Sequence, residues 1–422
     1  MRLIAALLVA RTLRVLTRLR GGGSAFPGLV LLKMVPDVLG KTLGELPGGV
    51  IFVTGSNGKS TTATMLTSVL RAHGRKVFTN PAGGNLPQGL ASAVVGVISW
   101  FGTVKADTAV LEVDEAYGPQ IAQLVSPDWV VFTNLQVDQL NRFGEPENVF
   151  EMMKTLAFAA RVGVVVNQGD PNLVALGAMC HDHGLQVRGV AVSEKALSRQ
   201  SHGLVPAPIF FDVEATLPDA PTVTLLDTEA SQATLDLGDG QIEVELPAPG
   251  LHYAIDAALA VAAASDAAGV SLVKTALQSA FARQGPVYGR GETITYRGVE
   301  FALTMMKNLP SLQVNLAAMT RPLGPVWVAV DEGTPDPSWI FDVDLGPLDR
   351  VVVLSGTKAW QWALLLEYRE IPYDEVILDT KKAMDRLVEL ATPGVPVAAI
   401  VNYEQMMLTR RIAGYKELEG VS

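Results

Sequence analysis

The sequence predicts an α/β protein with a doubly wound, mainly parallel sheet in its central part and a smaller α/β unit after it. Short apolar runs alternate with segments of helical periodicity along most of the chain, which is typical of strands buried on both faces of a parallel sheet. The alternation resumes beyond a Gly-Pro pair at residues 285–286, and 422 residues allow two or three domains. We therefore expect an N-terminal segment at 1–45, a central domain at 46–286 and a C-terminal domain at 287–422.

The N-terminal segment is basic, whereas the chain as a whole carries a net charge of −10. On a helical wheel, Ala6, Val9, Leu13 and Leu16 share one face, and the arginines 11, 14 and 18 share the opposite one. This pattern predicts a basic amphipathic helix that either docks on the protein body or contacts the anionic inner leaflet of the plasma membrane. We expect a cytoplasmic protein without an export signal or a membrane-spanning helix, because no apolar run is long enough to cross a bilayer.

Composition excludes several classes of function. The acidic balance argues against a nucleic-acid-binding face. The single cysteine, Cys180, excludes an internal disulfide and a zinc site built from several cysteines, so we expect no zinc. Cys180 lies beside His181 and His183 near the predicted end of a helix, and we interpret this group as a surface helix terminus.

Five strands of the central domain follow from short apolar runs. They are predicted at Val50–Thr54, Lys76–Thr79, Thr108–Leu111, Trp129–Thr133 and Gly163–Asn167. A helix is predicted at Thr61–His73 because Gly74 follows it. Prolines and glycines between residues 21 and 49 predict irregular structure after the first helix.

The later part of the chain continues the alternation. Segment 205–247 reads as a β-rich excursion with strands at Ala233–Leu237 and Gln241–Leu246, and an alanine-rich helix follows at Ala254–Ala268. Four strands are then predicted between helices, at Val326–Val330, Arg350–Leu354, Glu375–Leu378 and Val397–Val401.

The strongest functional signal is a glycine-rich loop between the first strand and the following helix. Glycines allow backbone N–H groups to surround phosphate oxygens, and the helix N-terminus favours negative charge. Lys59 is placed to neutralise the terminal phosphates of a nucleotide, and Ser60 or Thr61 can ligate Mg²⁺. The predicted phosphate-binding residues are Gly55, Ser56, Asn57, Gly58, Lys59, Ser60 and Thr61.

The pattern G-x-N-G-K-S-T resembles the Mur ligase superfamily, whose members join a carboxylate to an amine with ATP. Other segments agree with this resemblance: Glu-Val-Asp-Glu at 112–115, an Asn-to-Arg stretch at 134–142, Asn-Gln-Gly-Asp-Pro at 167–171 and Gly-Arg-Gly-Glu at 289–292. The resemblance implies that Glu112, with Ser60, holds Mg²⁺ and that Asn134, Asp170 and Arg290 contribute to the nucleotide site. A structural loop is the rival reading for Asn134, and Arg290 could instead pair with Glu292.

Within that superfamily the chain looks like the MurT family. Gln139 stands where most ligases carry a metal-binding histidine, and Lys307–Asn308, Ser338–Asp342, Ser355–Lys358 and Asn402–Tyr403 also agree with MurT. The resemblance implies amidation of the D-glutamate α-carboxylate of lipid II through an acyl phosphate. It also implies a heterodimer with a GatD-like glutaminase that supplies ammonia. MurT proteins typically carry a four-cysteine zinc ribbon, and here segment 205–247 occupies its place without the cysteines.

The resemblance further implies that Asp336 completes the catalytic group of the partner glutaminase, with Asp342 in reserve; a turn-forming aspartate before Pro337 is the rival reading. Lys59 and Glu112 are the other catalytic candidates. Two different functions remain open from the sequence: a stand-alone Mur-type or folylpolyglutamate-type amino-acid ligase, and an inert nucleotide-binding scaffold.

Overall fold

The structure is a computed structural model. It describes residues 2–19, 25–80, 84–137, 144–199, 206–210, 215–284, 290–317, 319, 323–332 and 338–415.

Three helices open the chain: α1 (Arg2–Leu19), α2 (Phe26–Met34) and α3 (Val38–Leu43). The prediction of irregular structure between residues 21 and 49 was wrong for the two stretches that form α2 and α3, and residues 21–24 lie outside the described residues. Pro27 lies in the first turn of α2, where its missing N–H would have no helical partner in any case, so it starts the helix instead of breaking it.

The central domain is built on one sheet of nine strands in the order β2-β3-β1-β4-β5-β6-β7-β8-β9. The pairs from β2 to β7 are parallel, and β8 and β9 complete the edge as antiparallel strands. The strands are β1 (Val50–Thr54), β2 (Val77–Thr79), β3 (Thr108–Glu112), β4 (Trp129–Phe132), β5 (Gly163–Asn167), β6 (Gln186–Val192), β7 (Val223–Glu229), β8 (Gln232–Asp236) and β9 (Gln241–Glu245).

Helices cover both faces of this sheet. They are α4 (Lys59–Ala72), α5 (Pro87–Val97), α6 (Gly118–Leu124), α7 (Pro146–Phe158), α8 (Pro171–Asp182), α9 (Glu194–Leu197), α10 (Leu251–Ala262), which continues as a π-helix at Ala263–Ala267, and α11 (Lys274–Ala282). Strand β1 is apolar along its length because both of its faces are buried. Val50 and Phe52 join the core with α1 and α5, whereas Ile51 and Val53 join the core with α4 and α10.

The strands predicted within segment 205–247 are confirmed, but they do not form a separate excursion. Strand β7 pairs with β6, and β8 and β9 extend the same sheet. Their inward side chains explain the attachment, because Ala233, Leu235, Ile242 and Val244 are buried in the core that also contains β1. Apolar alternation thus builds the edge of the main sheet.

The C-terminal part forms a sheet of six strands in the order β10-β11-β15-β12-β13-β14. The strands are β10 (Arg290–Tyr296), β11 (Val299–Met305), β12 (Val326–Ala329), β13 (Val351–Ser355), β14 (Tyr373–Val376) and β15 (Val397–Val401). Its helices are α12 (Leu309–Ala317), α13 (Ala359–Tyr368), α14 (Thr380–Leu390) and α15 (Tyr403–Ile412), with a 3₁₀ helix at Ser338–Asp342. The predicted α/β architecture is confirmed. Within the described ranges, no helix combines the length and apolarity needed to cross a membrane.

Helix α1 packs with a different face from the one its helical wheel indicated. Ala6, Leu7 and Ala10 are buried, whereas Val9 and Leu16 are exposed. Arg11 explains the rotation, because its guanidinium turns inward and donates to backbone carbonyls at the end of α5.

Candidate functional site

The candidate site lies where β1, β3 and β4 end at the same edge of the central sheet. Strand β1 runs into the loop of residues 55–58, and α4 begins at Lys59. Parallel strands bring their carboxyl ends together, and ligands of open α/β sheets bind outside this edge. The loop predicted from the sequence therefore occupies the expected position.

Two glycines shape this loop for physical reasons. Gly55 has φ of 137° and Gly58 has φ of 83°, conformations that a residue with a Cβ rarely adopts. A Cβ on Gly55 would clash with the hydroxyl of Thr133, and one on Gly58 would clash with the carboxylate of Asp256. Both glycines are therefore required by close packing as well as by backbone conformation.

Lys59 folds back into the loop. Its Nζ donates to the carbonyl oxygens of Gly55 and Ser56, the latter at 3.2 Å. It also lies 2.9 Å from Oε2 of Glu115, and both side chains are largely shielded from solvent. The loop thus holds a cation against its own backbone, with Glu115 as the neutralising carboxylate.

Ser60 and Glu112 form a second polar pair beside the lysine. The hydroxyl of Ser60 donates to Oε2 of Glu112 at 2.8 Å, and Nδ2 of Asn85 donates to Oε1 at 3.3 Å. Asn80 bonds to both the backbone N–H and the carbonyl of Glu112, so the end of β3 is held in place from the neighbouring strand.

This pair supplies oxygen donors of the type that Mg²⁺ prefers. Among the described residues, no group of three or more histidine, cysteine, aspartate or glutamate side chains is arranged to hold a metal. One hydroxyl and one carboxylate nevertheless fit Mg²⁺, which commonly takes one or two protein carboxylates and completes its shell with phosphate oxygens and water. The donor set therefore suits a magnesium ion that arrives with a nucleotide.

Asn134 braces the phosphate loop from β4. Its Oδ1 accepts from the backbone N–H of Asn57 at 2.9 Å, and its Nδ2 donates to the carbonyl of Asn57 at 3.1 Å. The side chain of Asn57 donates in turn to Oε1 of Gln136 at 2.7 Å. These bonds agree with the alternative in which Asn134 is a structural loop residue.

Asp170 lies at the start of α8, one strand further along the sheet. Its carboxylate accepts from the backbone N–H groups of Leu135 at 2.6 Å and Asn172 at 3.0 Å. Burial raises the pKa of Asp170 to about 6, although its backbone hydrogen bonds act in the opposite direction. Asp170 thus caps α8 and ties that helix to the loop after β4.

The C-terminal domain reaches the same loop. Lys307 donates to the carbonyl of Ser56 at 3.2 Å, and Nδ2 of Asn57 donates to Oδ1 of Asn308 at 3.4 Å. Residues of both domains line the adjoining pocket: Asn57, Asn134, His252, Asp256, Lys307 and Asn315. A ligand on the phosphate loop would therefore touch both domains.

Other predicted residues lie outside the described part of the chain or outside this group. Asp336 lies outside the described residues, as do Asp138, Gln139 and Arg142. Arg290 belongs to β10, where only its backbone is described. Glu292 pairs with Arg410, and Asp342 is exposed on the 3₁₀ helix.

The expectation that Cys180 lies on the surface was wrong. Cys180 lies on α8, and its side chain is buried in the hydrophobic core between the helices and the central sheet. Burial raises the pKa of the thiol to about 12. A neutral, enclosed thiol suits packing and does not suit nucleophilic chemistry.

Sequence reasoning gave too little weight to Glu115 and missed Asn80 and Asn85. Glu115 received no role of its own, although its place three residues after Glu112 was a usable signal. Asn80 and Asn85 carried no local signal because they follow β2, and only the pairing of β2 with β3 brings them to Glu112.

Fold and site together define a P-loop α/β protein whose phosphate loop is closed by a second α/β domain. The Mur ligase middle domain family matches residues 53–264, half of the chain. The chain belongs to the Mur ligase family, and part of it is similar to MurT proteins.

The relatives agree with this assignment. The chain is 32% identical over 149 residues to the lipid II isoglutaminyl synthase (glutamine-hydrolyzing) subunit MurT of Staphylococcus aureus strain N315, covering 35% of this chain and 33% of that protein. It is 33% identical over 164 residues to the MurT subunit of Streptococcus pneumoniae strain R6, covering 38% and 34%. The chain thus spans about a third of the length of these relatives.

The overall architecture matches solved ligases over a longer stretch. The crystal structure of MurF from Acinetobacter baumannii superposes with a TM-score of 0.67 at 18% sequence identity, covering 91% of this chain and 80% of that one. At this identity the match establishes the shared fold.

Proposed function

We propose that this chain is the ligase-like subunit of a two-protein, glutamine-dependent amidotransferase that uses ATP to amidate the D-glutamate α-carboxylate of lipid II. The observation that carries the proposal is the group of Lys59, Ser60 and Glu112 around the phosphate loop of a MurT-like chain. The names of the MurT relatives support lipid II as the substrate and a second subunit as the partner, and the phosphate loop supports the use of ATP.

The chemistry requires an activated acyl group, because a carboxylate resists attack by a nucleophile at neutral pH. The carboxylate oxygen attacks the γ-phosphorus of ATP, the bond to ADP breaks, and an acyl phosphate forms. Ammonia then attacks the acyl carbon, inorganic phosphate leaves, and a proton is lost from nitrogen to give the amide. Lys59 would stabilise the charge on the transferring phosphoryl group.

For Lys59 to act in this way, it must exchange Glu115 for phosphate oxygens. The lysine already lies inside the loop, 3.2 Å from the carbonyl of Ser56, so this exchange needs only a local movement. Ser60 and Glu112 would hold Mg²⁺, which neutralises phosphate charge when it is bound. The backbone N–H groups of the loop and the N-terminus of α4 add positive potential at the same place.

Ammonia would come from a partner with glutaminase activity. The MurT relatives are named as subunits of a glutamine-hydrolysing synthase, which supports a heterodimer here. Asp336 would orient the catalytic histidine of the partner, with Asp342 as the reserve. We place the complex in the cytoplasm, where lipid II is assembled.

The test is amidation of lipid II followed by mass spectrometry. Purified chain, lipid II, MgATP and ammonium should give the mass decrease expected when a hydroxyl group is replaced by an amino group. Lys59→Ala should slow the reaction about a hundredfold or more. Lys154→Ala removes a lysine from a surface ion pair on α7 and should leave the rate unchanged.

The same assay distinguishes the alternatives. Glutamine should replace ammonium only when a GatD-like glutaminase is added. Addition of an amino-acid residue to the acceptor would instead indicate a stand-alone Mur-type or folylpolyglutamate-type ligase. Nucleotide binding without turnover of any acceptor would indicate an inert scaffold and would overturn the proposal.

A further inference from the structure

Exposed apolar side chains are concentrated in two segments of the chain that lie against each other. Among the described residues, half of the large apolar side chains that are exposed to solvent lie in only two segments, residues 4–29 and 97–101. We call this surface the apolar end, and its members are Ile4, Leu8, Val9, Val15, Leu16, Phe26, Leu29, Val97, Trp100 and Phe101. Soluble monomers rarely expose a contiguous apolar patch without a use for it.

Helix α1 presents apolar residues outward, and its Arg11 is used inward. Arg11 donates to the carbonyls of Val95 and Ile98 near the C-terminus of α5, and its guanidinium lies 4.2 Å from the ring centre of Trp100. Cations are favoured at that end of a helix. Ile4, Leu8 and Val15 lie on the side of α1 that is turned away from the buried Ala6 and Ala10, and they face solvent.

The two segments form one surface. Arg11 joins α1 to Trp100, and a Cβ on Gly102 would lie 3.0 Å from Cδ2 of Leu3. The loop after α5 therefore lies against the first turns of α1. Phe101, at the tip of this loop, is 90% exposed, which is unusual for a phenylalanine that has no external partner.

Charge distinguishes the possible occupants of the apolar end. Residues 1–36 contain six basic and no acidic side chains, although the whole chain is acidic. Arg2 and Lys33 are exposed within this segment. A second copy docked through the same face would bring like charges together, whereas the anionic headgroups of a bilayer complement them. The rest of the chain is acidic and would be repelled by such a bilayer. This repulsion favours an approach in which the apolar end faces the bilayer.

We propose that the chain binds the surface of an anionic lipid bilayer through the apolar end. The outward side chains of α1 and the tip at Trp100–Phe101 enter the boundary between headgroups and acyl chains, as an interfacial amphipathic helix does. Arg2 and Lys33 contact the headgroups. Binding of this kind is peripheral and reversible, and it does not depend on the ligase activity.

Helix α5 connects this surface to the phosphate loop. Asn85, two residues before α5 begins, donates to the carboxylate of Glu112. The helix ends at Val97, which belongs to the apolar end. A helix of this length spans about 16 Å. If the proposed function also holds, the carboxylate of a lipid-linked acceptor would have a short distance to cover from the bilayer to the site.

The test is co-sedimentation of the full chain with vesicles. Vesicles made of equal parts of phosphatidylcholine and phosphatidylglycerol should bind the chain, and vesicles of phosphatidylcholine alone should bind it much more weakly. Each basic residue near an anionic surface strengthens binding about fivefold, so added salt should also weaken binding. The double variant Leu8→Ser/Phe101→Ser should bind the anionic vesicles about tenfold or more weakly.

A matched control comes from the C-terminal domain. Trp360→Ser/Leu364→Ser removes two exposed apolar side chains of α13 and should leave vesicle binding unchanged. Circular dichroism and nucleotide binding report whether each variant is folded. Equal vesicle binding by wild type and Leu8→Ser/Phe101→Ser, or no binding by the wild type, would overturn the proposal. So would a wild-type dimer in solution that the same variant dissociates, because that result identifies a second copy as the occupant.

Discussion

Lys59 and Glu115 form an ion pair that is almost completely shielded from water, with 10% and 2% of their side chains exposed. Removing one partner of such a pair leaves the other charge in a poorly solvated place, which typically costs about 3 kcal/mol or more. Glu115→Ala should therefore lower the free energy of unfolding by about that amount in urea denaturation.

The double variant Lys59→Met/Glu115→Met removes both charges and should be more stable than Glu115→Ala. A surface pair provides the comparison, since Glu151→Ala near Lys154 should cost about 0.5 kcal/mol or less. The charges are not coupled if the losses of unfolding free energy in Lys59→Met and in Glu115→Met sum to the loss in the double variant. That result would contradict the prediction.

The buried carboxyl group of Asp170 should make the free energy of unfolding depend on pH. Its pKa is about 6 in the folded chain and 3.8 as the ordinary value, so the folded state favours the protonated form. The stability that Asp170 contributes is complete below about pH 4 and is lost as the pH rises through about 6, by about 3 kcal/mol in total.

Asp170→Asn removes this titration. The difference in free energy of unfolding between wild type and Asp170→Asn should therefore change in favour of the variant between about pH 4 and pH 6.5. Asp219→Asn, at an exposed aspartate, should show no such trend. A constant difference between wild type and Asp170→Asn across this range would show that Asp170 does not titrate there.

Helix α4 begins and ends with glycines in the left-handed conformation, Gly58 with φ of 83° and Gly74 with φ of 82°. Gly74 has no atom within 4 Å of where its Cβ would lie, whereas at Gly58 the carboxylate of Asp256 blocks that position. Gly74→Ala should cost about 1 kcal/mol through backbone strain alone. Gly58→Ala should cost more and should also abolish nucleotide binding, as measured by calorimetry. Equal effects would contradict a packing role for Gly58.

Helix α13 exposes Trp360, Leu364 and Tyr368 at a spacing of four residues, so they form one stripe. Arg369 donates to the carbonyl of Phe341 and thereby ties this helix to the 3₁₀ helix that follows Asp336. We predict that the stripe contributes to the interface with the proposed glutaminase partner.

Trp360→Ala/Leu364→Ala should weaken the proposed heterodimer about thirtyfold, since aromatic side chains buried on binding dominate such interfaces. Ammonium-dependent amidation should be retained, and Leu8→Ser/Phe101→Ser should leave the heterodimer intact. Unchanged affinity in a pull-down titration with the glutaminase would place the partner elsewhere.

On the scale of the whole molecule, Lys307 connects the C-terminal domain to the phosphate loop through the carbonyl of Ser56. A second cation at this place would help to neutralise the phosphates of a bound nucleotide. Lys307→Ala should lower the amidation rate about tenfold or more without unfolding either domain. Lys382→Ala, an exposed lysine of the same domain, is the control, and equal rates for the two variants would exclude this role for Lys307.

Local patterns were sufficient for the parts of this protein that depend on neighbours in sequence. The glycine-rich loop requires particular backbone angles next to a helix N-terminus, and the strands β1 and β15 are short apolar runs, so the sequence alone located them. Segment 205–247 shows the limit of such reasoning. Its alternation correctly predicted strands, but only packing against the core determined that they extend the main sheet.

The amino-acid sequence by itself determined the fold class, the phosphate loop and membership of the Mur ligase family, because each rests on short-range patterns. Tertiary structure decided which distant groups meet. Glu115 lies 56 residues from Lys59, and Lys307 lies 251 residues from Ser56. It also decided which face of α1 is buried, since helical periodicity defines two faces and only the surface against which a helix packs selects between them.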